Sequence, residues 1–147
     1  MRHNREVDDF PAYCLRQDDA TEYMEARRWP SGPVCPHCVS SKRAYALDSK
    51  PESANQLRRG VYKCGGCRKK FTVTVGTIFE NSRIPLYKWL LAIHLMCVLP
   101  GGITAAELQR KLGLRSYRSA LFMCYRIEWA AEQSPFAGEQ ALRRKNL

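Results

Sequence analysis

Two C-x-x-C pairs, Cys35-Pro36-His37-Cys38 and Cys64-Gly65-Gly66-Cys67, constrain this chain more than any other feature in it. Two residues between cysteines let a tight turn aim both thiolates at one point. Two such knuckles fill the four positions of a tetrahedral Zn²⁺ ion and leave none open for catalysis. The spacing therefore predicts a structural zinc held by Cys35, Cys38, Cys64 and Cys67. The 25 residues between the pairs exceed the usual spacing of about 15–20, so a long hairpin or loop is expected to join the knuckles. The competing arrangement is two disulfides, which an odd total of seven cysteines disfavours. Cys14, Cys97 and Cys124 share no spacing, and Cys97 and Cys124 fall in apolar helical patterns where they read as small buried hydrophobes. His37 lies inside the first knuckle, but four thiolates already complete the site, so exposure or a hydrogen bond outside the ligand set is its expected role.

A chain of 147 residues is one ordinary domain or two small ones, and small ones need a metal or another staple. The N-terminal residues lack the apolar core of a signal peptide, and no apolar run reaches the roughly 18 residues of a membrane span. With unpaired cysteines, this predicts a reducing, cytoplasmic setting with no membrane partner and no small-molecule substrate. Net charge is +10, but residues 1–25 carry −4, so residues 26–147 carry +14. Arg58, Arg59, Lys63, Arg68, Lys69 and Lys70 surround the second knuckle with no acid among them. Arg110, Lys111, Arg115, Arg118 and Arg126 follow in the helical part. Two acid-free runs on separate motifs predict a polyanion partner, double-stranded DNA.

Residues 18–28 have helical spacing, with Asp18 or Asp19 as the expected N-cap. Trp29-Pro30-Ser31-Gly32-Pro33 stops that helix and leads into the first knuckle. Short strands are expected at 43–47 and 60–63, separated by a polar loop tip at 48–55. The strict alternation of Phe71-Thr72-Val73-Thr74-Val75 predicts a further strand. Pro85 opens an apolar helix, expected to be buried with His94 in the core, and Pro100-Gly101-Gly102 ends it. Thr104 and Glu107 form a capping box for a short helix to Leu112, Gly113 supplies the turn, and Ser116 caps a last helix to about Gln133. Three helices with a glycine turn between the second and third have helix-turn-helix spacing, although a generic three-helix bundle shares it. Charge favours the former, because Arg115, Ser116, Tyr117, Arg118 and Ser119 gather where a recognition helix meets bases and phosphates. Trp29, Trp89 and Trp129 are expected to serve packing.

These residues resemble the N-terminal part of insertion-sequence transposases, which begin with a zinc ribbon and continue into a DDE-type nuclease domain. The resemblance runs from about Phe10 to Ala131. It is carried by Asp18-Asp19-Ala20, Arg28-Trp29-Pro30, the two knuckles, Tyr62-Lys63, Phe71 through Phe79, Ile84-Pro85-Leu86 with Lys88-Trp89, Ile103-Thr104-Ala105, Leu112-Gly113 and Tyr117-Arg118-Ser119-Ala120. It implies sequence-specific binding to the ends of a mobile element. In the family a catalytic aspartate follows the helical module, whereas Asp48 is the last aspartate here and the later glutamates have no strand pattern to gather them around metal ions. Strand cleavage is therefore expected to be absent.

The expected fold is α+β: a helical lead-in over 1–33, a zinc ribbon over 34–80, a helix-turn-helix bundle over 81–133 and a basic tail over 134–147. The expected function is zinc-dependent, sequence-specific DNA binding by a transposase-derived chain, as regulator, accessory factor or competitor. A second copy or a full-length transposase is a further expected partner. The alternatives are a transposase fragment that needs a separately supplied nuclease domain, and a zinc-ribbon protein-interaction adaptor.

Overall fold

The computed structural model describes residues 10–38, 43–47 and 60–133. The expected loop tip at 48–55, the basic tail, and Arg58 and Arg59 lie outside them. The architecture is α+β, with one helix before a small antiparallel sheet and three after it. By its contacts the chain divides into two units between Tyr87 and Lys88.

In the first unit a single 3-10 turn at Ala12–Cys14 precedes α1 (Gln17–Arg28). The N-cap of α1 is Arg16, not Asp18 or Asp19, and no side chain caps it. The two aspartates sit within the first turn, where negative charge meets the positive end of the helix dipole. Asp19 also lies 3.6 Å from Arg16. Strands β1 (Ala44–Ala46), β2 (Tyr62–Cys64) and β3 (Lys70–Phe71) form a three-stranded sheet in chain order. Ala44 pairs with Cys64, Tyr45 with Lys63 and Ala46 with Tyr62. Tyr62 in turn pairs with Phe71, and Lys63 with Lys70.

The sheet and α1 share an aromatic core. The Trp29 ring meets Tyr62 and Phe71 edge-on at 5.5 and 5.7 Å, and Tyr62 stacks on Phe71 at 5.8 Å. Trp29, Phe71, Val73 and Phe79 are buried, each worth about 1.5–3 kcal/mol relative to exposure. Arg28 fixes the end of α1 by donating from Nη1 to the Val73 carbonyl at 2.6 Å.

The alternating segment Phe71 to Val75 is not a strand beyond Phe71. From Thr72 the chain enters successive turns, in which the Val75 N–H donates to the Thr72 carbonyl at 3.3 Å and the Thr77 N–H to the Thr74 carbonyl at 3.1 Å. The threonines supply the reason. The hydroxyls of Thr72 and Thr74 bond each other at 2.8 Å and the Thr77 hydroxyl bonds the Thr74 carbonyl, so side chains compete with a ladder for the backbone. Phe71 and Val73 are still buried, and the alternation records that burial.

In the second part of the chain α2 (Leu86–Val98) follows Pro85, then α3 (Ala105–Leu112) and α4 (Tyr117–Gln133). Helix α2 buries Leu86, Trp89, Leu90, Ala92 and Leu95. Its last turn does not follow, since Cys97 is exposed and His94 only half-buried. The capping box of α3 is formed as expected: Glu107 N–H donates to Thr104 Oγ1 at 3.2 Å and Thr104 N–H to Glu107 Oε2 at 2.9 Å. The Thr104 N–H and the Thr104 hydroxyl, which also donates to Glu107 Oε2 at 2.9 Å, hold the Glu107 carboxyl below its ordinary pKa. Gly113 closes α3 in the left-handed region at φ 61°, ψ 40°, a conformation glycine adopts without a Cβ penalty. Ser116 Oγ then accepts the Ser119 N–H at 3.2 Å and opens α4. Helices α3 and α4 pack together, and Leu108, Leu112, Ala120, Met123, Cys124 and Ile127 are buried on them.

Candidate metal centre

The two knuckles close on each other. Sγ atoms of Cys35, Cys38, Cys64 and Cys67 all lie within 4.8 Å of one another. Two of the separations between knuckles are 3.7 Å, from Cys35 to Cys67, and 3.6 Å, from Cys38 to Cys64. A Zn–S bond of about 2.3 Å puts two sulfurs of a tetrahedron about 3.8 Å apart, so those two pairs stand at the edge length of a ZnS₄ site and all four thiols are close enough to share one ion. A disulfide needs about 2.05 Å, and all seven cysteines are free thiols. The donor set fits a zinc-ribbon metal site.

Local backbone geometry aims the sulfurs. In each knuckle the residue two positions after the first cysteine turns its N–H back onto that sulfur: His37 to Cys35 at 3.4 Å and Gly66 to Cys64 at 3.2 Å. The second knuckle is closed further by Arg68 N–H donating to the Cys64 carbonyl at 3.1 Å, with Arg68 in the left-handed region at φ 64°. Gly65 packs against the first hairpin strand, donating its N–H to the Arg43 carbonyl at 3.0 Å. A Cβ at Gly65 would stand 2.6 Å from that carbonyl oxygen, so no larger residue fits without moving backbone. His37 is exposed, with Nε2 3.3 Å from the Lys70 carbonyl, outside the thiol set.

The thiols differ in acidity. The Cys67 N–H donating to the Cys64 sulfur, with the Gly66 N–H and the Cys38 and Cys35 thiols, pulls Cys64 down to about 6 against burial. Cys67 also accepts an N–H, from Lys69, yet burial and the three neighbouring thiols push it up to about 11. A dication supplies the charge that makes all four thiolates, which is why binding there releases protons.

Basic residues predicted for DNA contact fall into two groups. Lys63, Arg68, Lys69 and Lys70 lie on the β2–β3 hairpin around the second knuckle, the last three exposed. Arg115, Ser116, Tyr117, Arg118 and Ser119 form the turn before α4 and its first residues, Ser119 half-buried and the others exposed. Sequence reasoning missed Arg28 as the anchor of α1 on the ribbon, and it missed the close approach at Gly65. It also misplaced Trp129, which is 59% exposed rather than packed. Trp29 and Trp89 are buried as expected, as is Cys124.

Among the described residues the four cysteines are the one group of three or more His, Cys, Asp or Glu side chains placed to share a metal, so no carboxylate cluster of a two-metal nuclease occurs there. No helix among them is long and apolar enough to cross a membrane.

Comparison with known proteins bears on the same region. Residues 15–70 match the transposase zinc-ribbon domain family. Over 81 residues the chain is 33% identical to an uncharacterized protein in transposable element ISH50 of Halobacterium salinarum, an alignment that covers 51% of this chain and 23% of that protein. No solved structure matches the chain significantly.

Proposed function

We propose that this chain, whose residues 15–70 match a transposase zinc-ribbon domain, is a zinc-dependent, sequence-specific DNA-binding protein that acts as regulator, accessory factor or competitor in transposition. The observation that carries this reading is the charge on the hairpin that bears the second knuckle. Lys63 and Lys70 are register partners, and like charges directly opposite in a sheet are destabilising. Arg68 takes a left-handed conformation that costs a non-glycine residue of order 1 kcal/mol. The repulsion between the two lysines weakens the free protein and is relieved when phosphates lie against the hairpin, whereas the Arg68 conformation belongs to the knuckle turn.

In this reading Zn²⁺, bound by Cys35, Cys38, Cys64 and Cys67, locks the two knuckles together. Lys63, Arg68, Lys69 and Lys70 then present donors to the phosphate backbone. The α3–Gly113–α4 arrangement serves as a helix-turn-helix, with Arg115 and Ser116 on phosphates and Tyr117, Arg118 and Ser119 toward base edges. Arg118 is the main base reader, because a bidentate guanidinium contact to guanine discriminates by about 1–3 kcal/mol.

Arg118→Ala is therefore expected to weaken binding to a selected duplex by roughly ten- to a hundredfold while changing affinity for random duplex much less. The two affinities are measured at one fixed salt concentration, with the fold checked by circular dichroism. Equal losses on both duplexes would make Arg118 a phosphate contact and remove the base reader.

A second reading has one observation in its favour: the chain spans under a quarter of the length of the mobile-element protein it matches. Here the DNA-binding region works with a nuclease domain on another polypeptide. Strand transfer by the purified chain, with and without a supplied nuclease domain, separates the two.

A further inference from the structure

Helix α4 carries two apolar faces. Ala120, Met123, Cys124 and Ile127 form the buried one. On the opposite side Phe122, Tyr125 and Trp129 are 54, 61 and 59% exposed. Their spacing of three then four residues is that of a heptad seam, and the next seam position is the exposed Glu132. Aromatic side chains present about 150–250 Å² each, so the three rings expose roughly 350 Å² in one stripe. A stripe of that size falls in the range of the largest apolar patch on a typical monomer, a patch that is often functional.

The charges around the stripe identify what covers it. At its N-terminal end the Arg126 guanidinium lies over the Phe122 ring, 4.5 Å from the centroid. At its C-terminal end stand Glu128 and Glu132. Two acids beside the rings repel phosphate, so nucleic acid is a poor occupant of this half of the helix. A stripe basic at one end and acidic at the other is complementary to itself when turned end for end, which is the condition for a two-fold interface. We infer that α4 pairs antiparallel with α4 of a second copy of this chain through Phe122, Tyr125 and Trp129.

In that pairing Tyr125 of one copy meets Trp129 of the other, and the Arg126 side of Phe122 meets Glu132. A parallel pairing would set Glu132 against Glu132. Two stripes bury roughly 700 Å² of ring surface, and with their flanking residues approach the lower end of specific interfaces at about 1,200 Å². An interface of that size lies at the weak, transient end of specific association. The inference shares one face of α4 with the DNA reading, since Arg118 stands four residues before Phe122 on the same side; the pairing uses the stretch from Phe122 onward and leaves the start of the helix to DNA.

Sedimentation equilibrium of the intact, zinc-loaded chain across the micromolar range tests it. The expected result is a reversible dimer whose dissociation constant rises about tenfold or more in Trp129→Asp. That side chain is exposed, and unchanged zinc content and circular dichroism verify the fold. Glu132→Lys is expected to weaken the dimer, and Glu132→Lys combined with Arg126→Glu to restore it, as swapped ends require. A monomer throughout the range overturns the inference. So does a dimer indifferent to Trp129→Asp, which would use another surface, or a charge swap that restores nothing, which would exclude the antiparallel pairing. DNA affinity measured on the same variants distinguishes this failure from failure of the DNA reading.

Discussion

Cys64→Ser is expected to release the metal and unfold the ribbon, the largest effect of any single substitution in this chain. Cys64 is fully buried, accepts the Gly66 N–H at 3.2 Å, and stands 3.6 Å from Cys38 across the knuckle interface. A serine oxygen is shorter and harder, and does not replace a thiolate on zinc. Apart from the metal, the ribbon rests on three strands of two or three residues and a few aromatic rings. Structural zinc contributes apparent binding free energies of about 10–16 kcal/mol in small domains, and its loss removes a large share of what holds a core this small. Elemental analysis should find about one zinc per native chain and close to none in the variant. Near-ultraviolet circular dichroism should lose the signal of the packed Trp29, Tyr62 and Phe71 rings. One zinc retained with an unchanged melting curve would overturn the four-cysteine site.

Binding to duplex DNA is expected to fall steeply with salt, and Arg68→Ala, Lys69→Ala and Lys70→Ala combined are expected to flatten that fall. Each phosphate neutralised by a lysine or arginine releases a condensed counterion, so log K declines with log salt at about 0.9 per contact. Residues 26–147 carry a net charge of +14, and Lys63, Arg68, Lys69 and Lys70 are joined on one hairpin with no acid among them. Removing three of these contacts should lower the slope by roughly 2 to 3 units and cost about a hundredfold or more in affinity at low salt. The three side chains are exposed, so the metal centre and the fold should survive. A slope that does not move would take the ribbon out of the DNA interface.

The metal site was legible because it is written locally: two residues between cysteines dictate a knuckle whatever the rest of the chain does. The capping box at Thr104 and Glu107 and the cap at Ser116 are local in the same way. What sequence reading missed depends on partners distant in the chain. Gly65 looks like one more turn glycine until the Arg43 carbonyl is found against it. Arg28 looks like a solvated charge until Val73 O accepts from it. The run from Phe71 to Val75 misled because alternate burial reads as a strand, while the Thr72 and Thr74 carbonyls already accept turn N–H groups and, at Thr74, the Thr77 hydroxyl. Trp129 misled for a related reason. An aromatic residue in an amphipathic helix predicts packing, but α4 has already filled its buried face with Ala120, Met123, Cys124 and Ile127, and the ring is left on the outside.

Selection of bound sequences from random duplex DNA by the intact zinc-loaded chain, repeated after zinc removal with a chelator, tests the central claim most directly. The account predicts enrichment of one short motif with the metal present and loss of that enrichment without it, since the knuckles that present Lys63, Arg68, Lys69 and Lys70 come apart. A bound pool indistinguishable from the input, or a motif that survives removal of the metal, would contradict it.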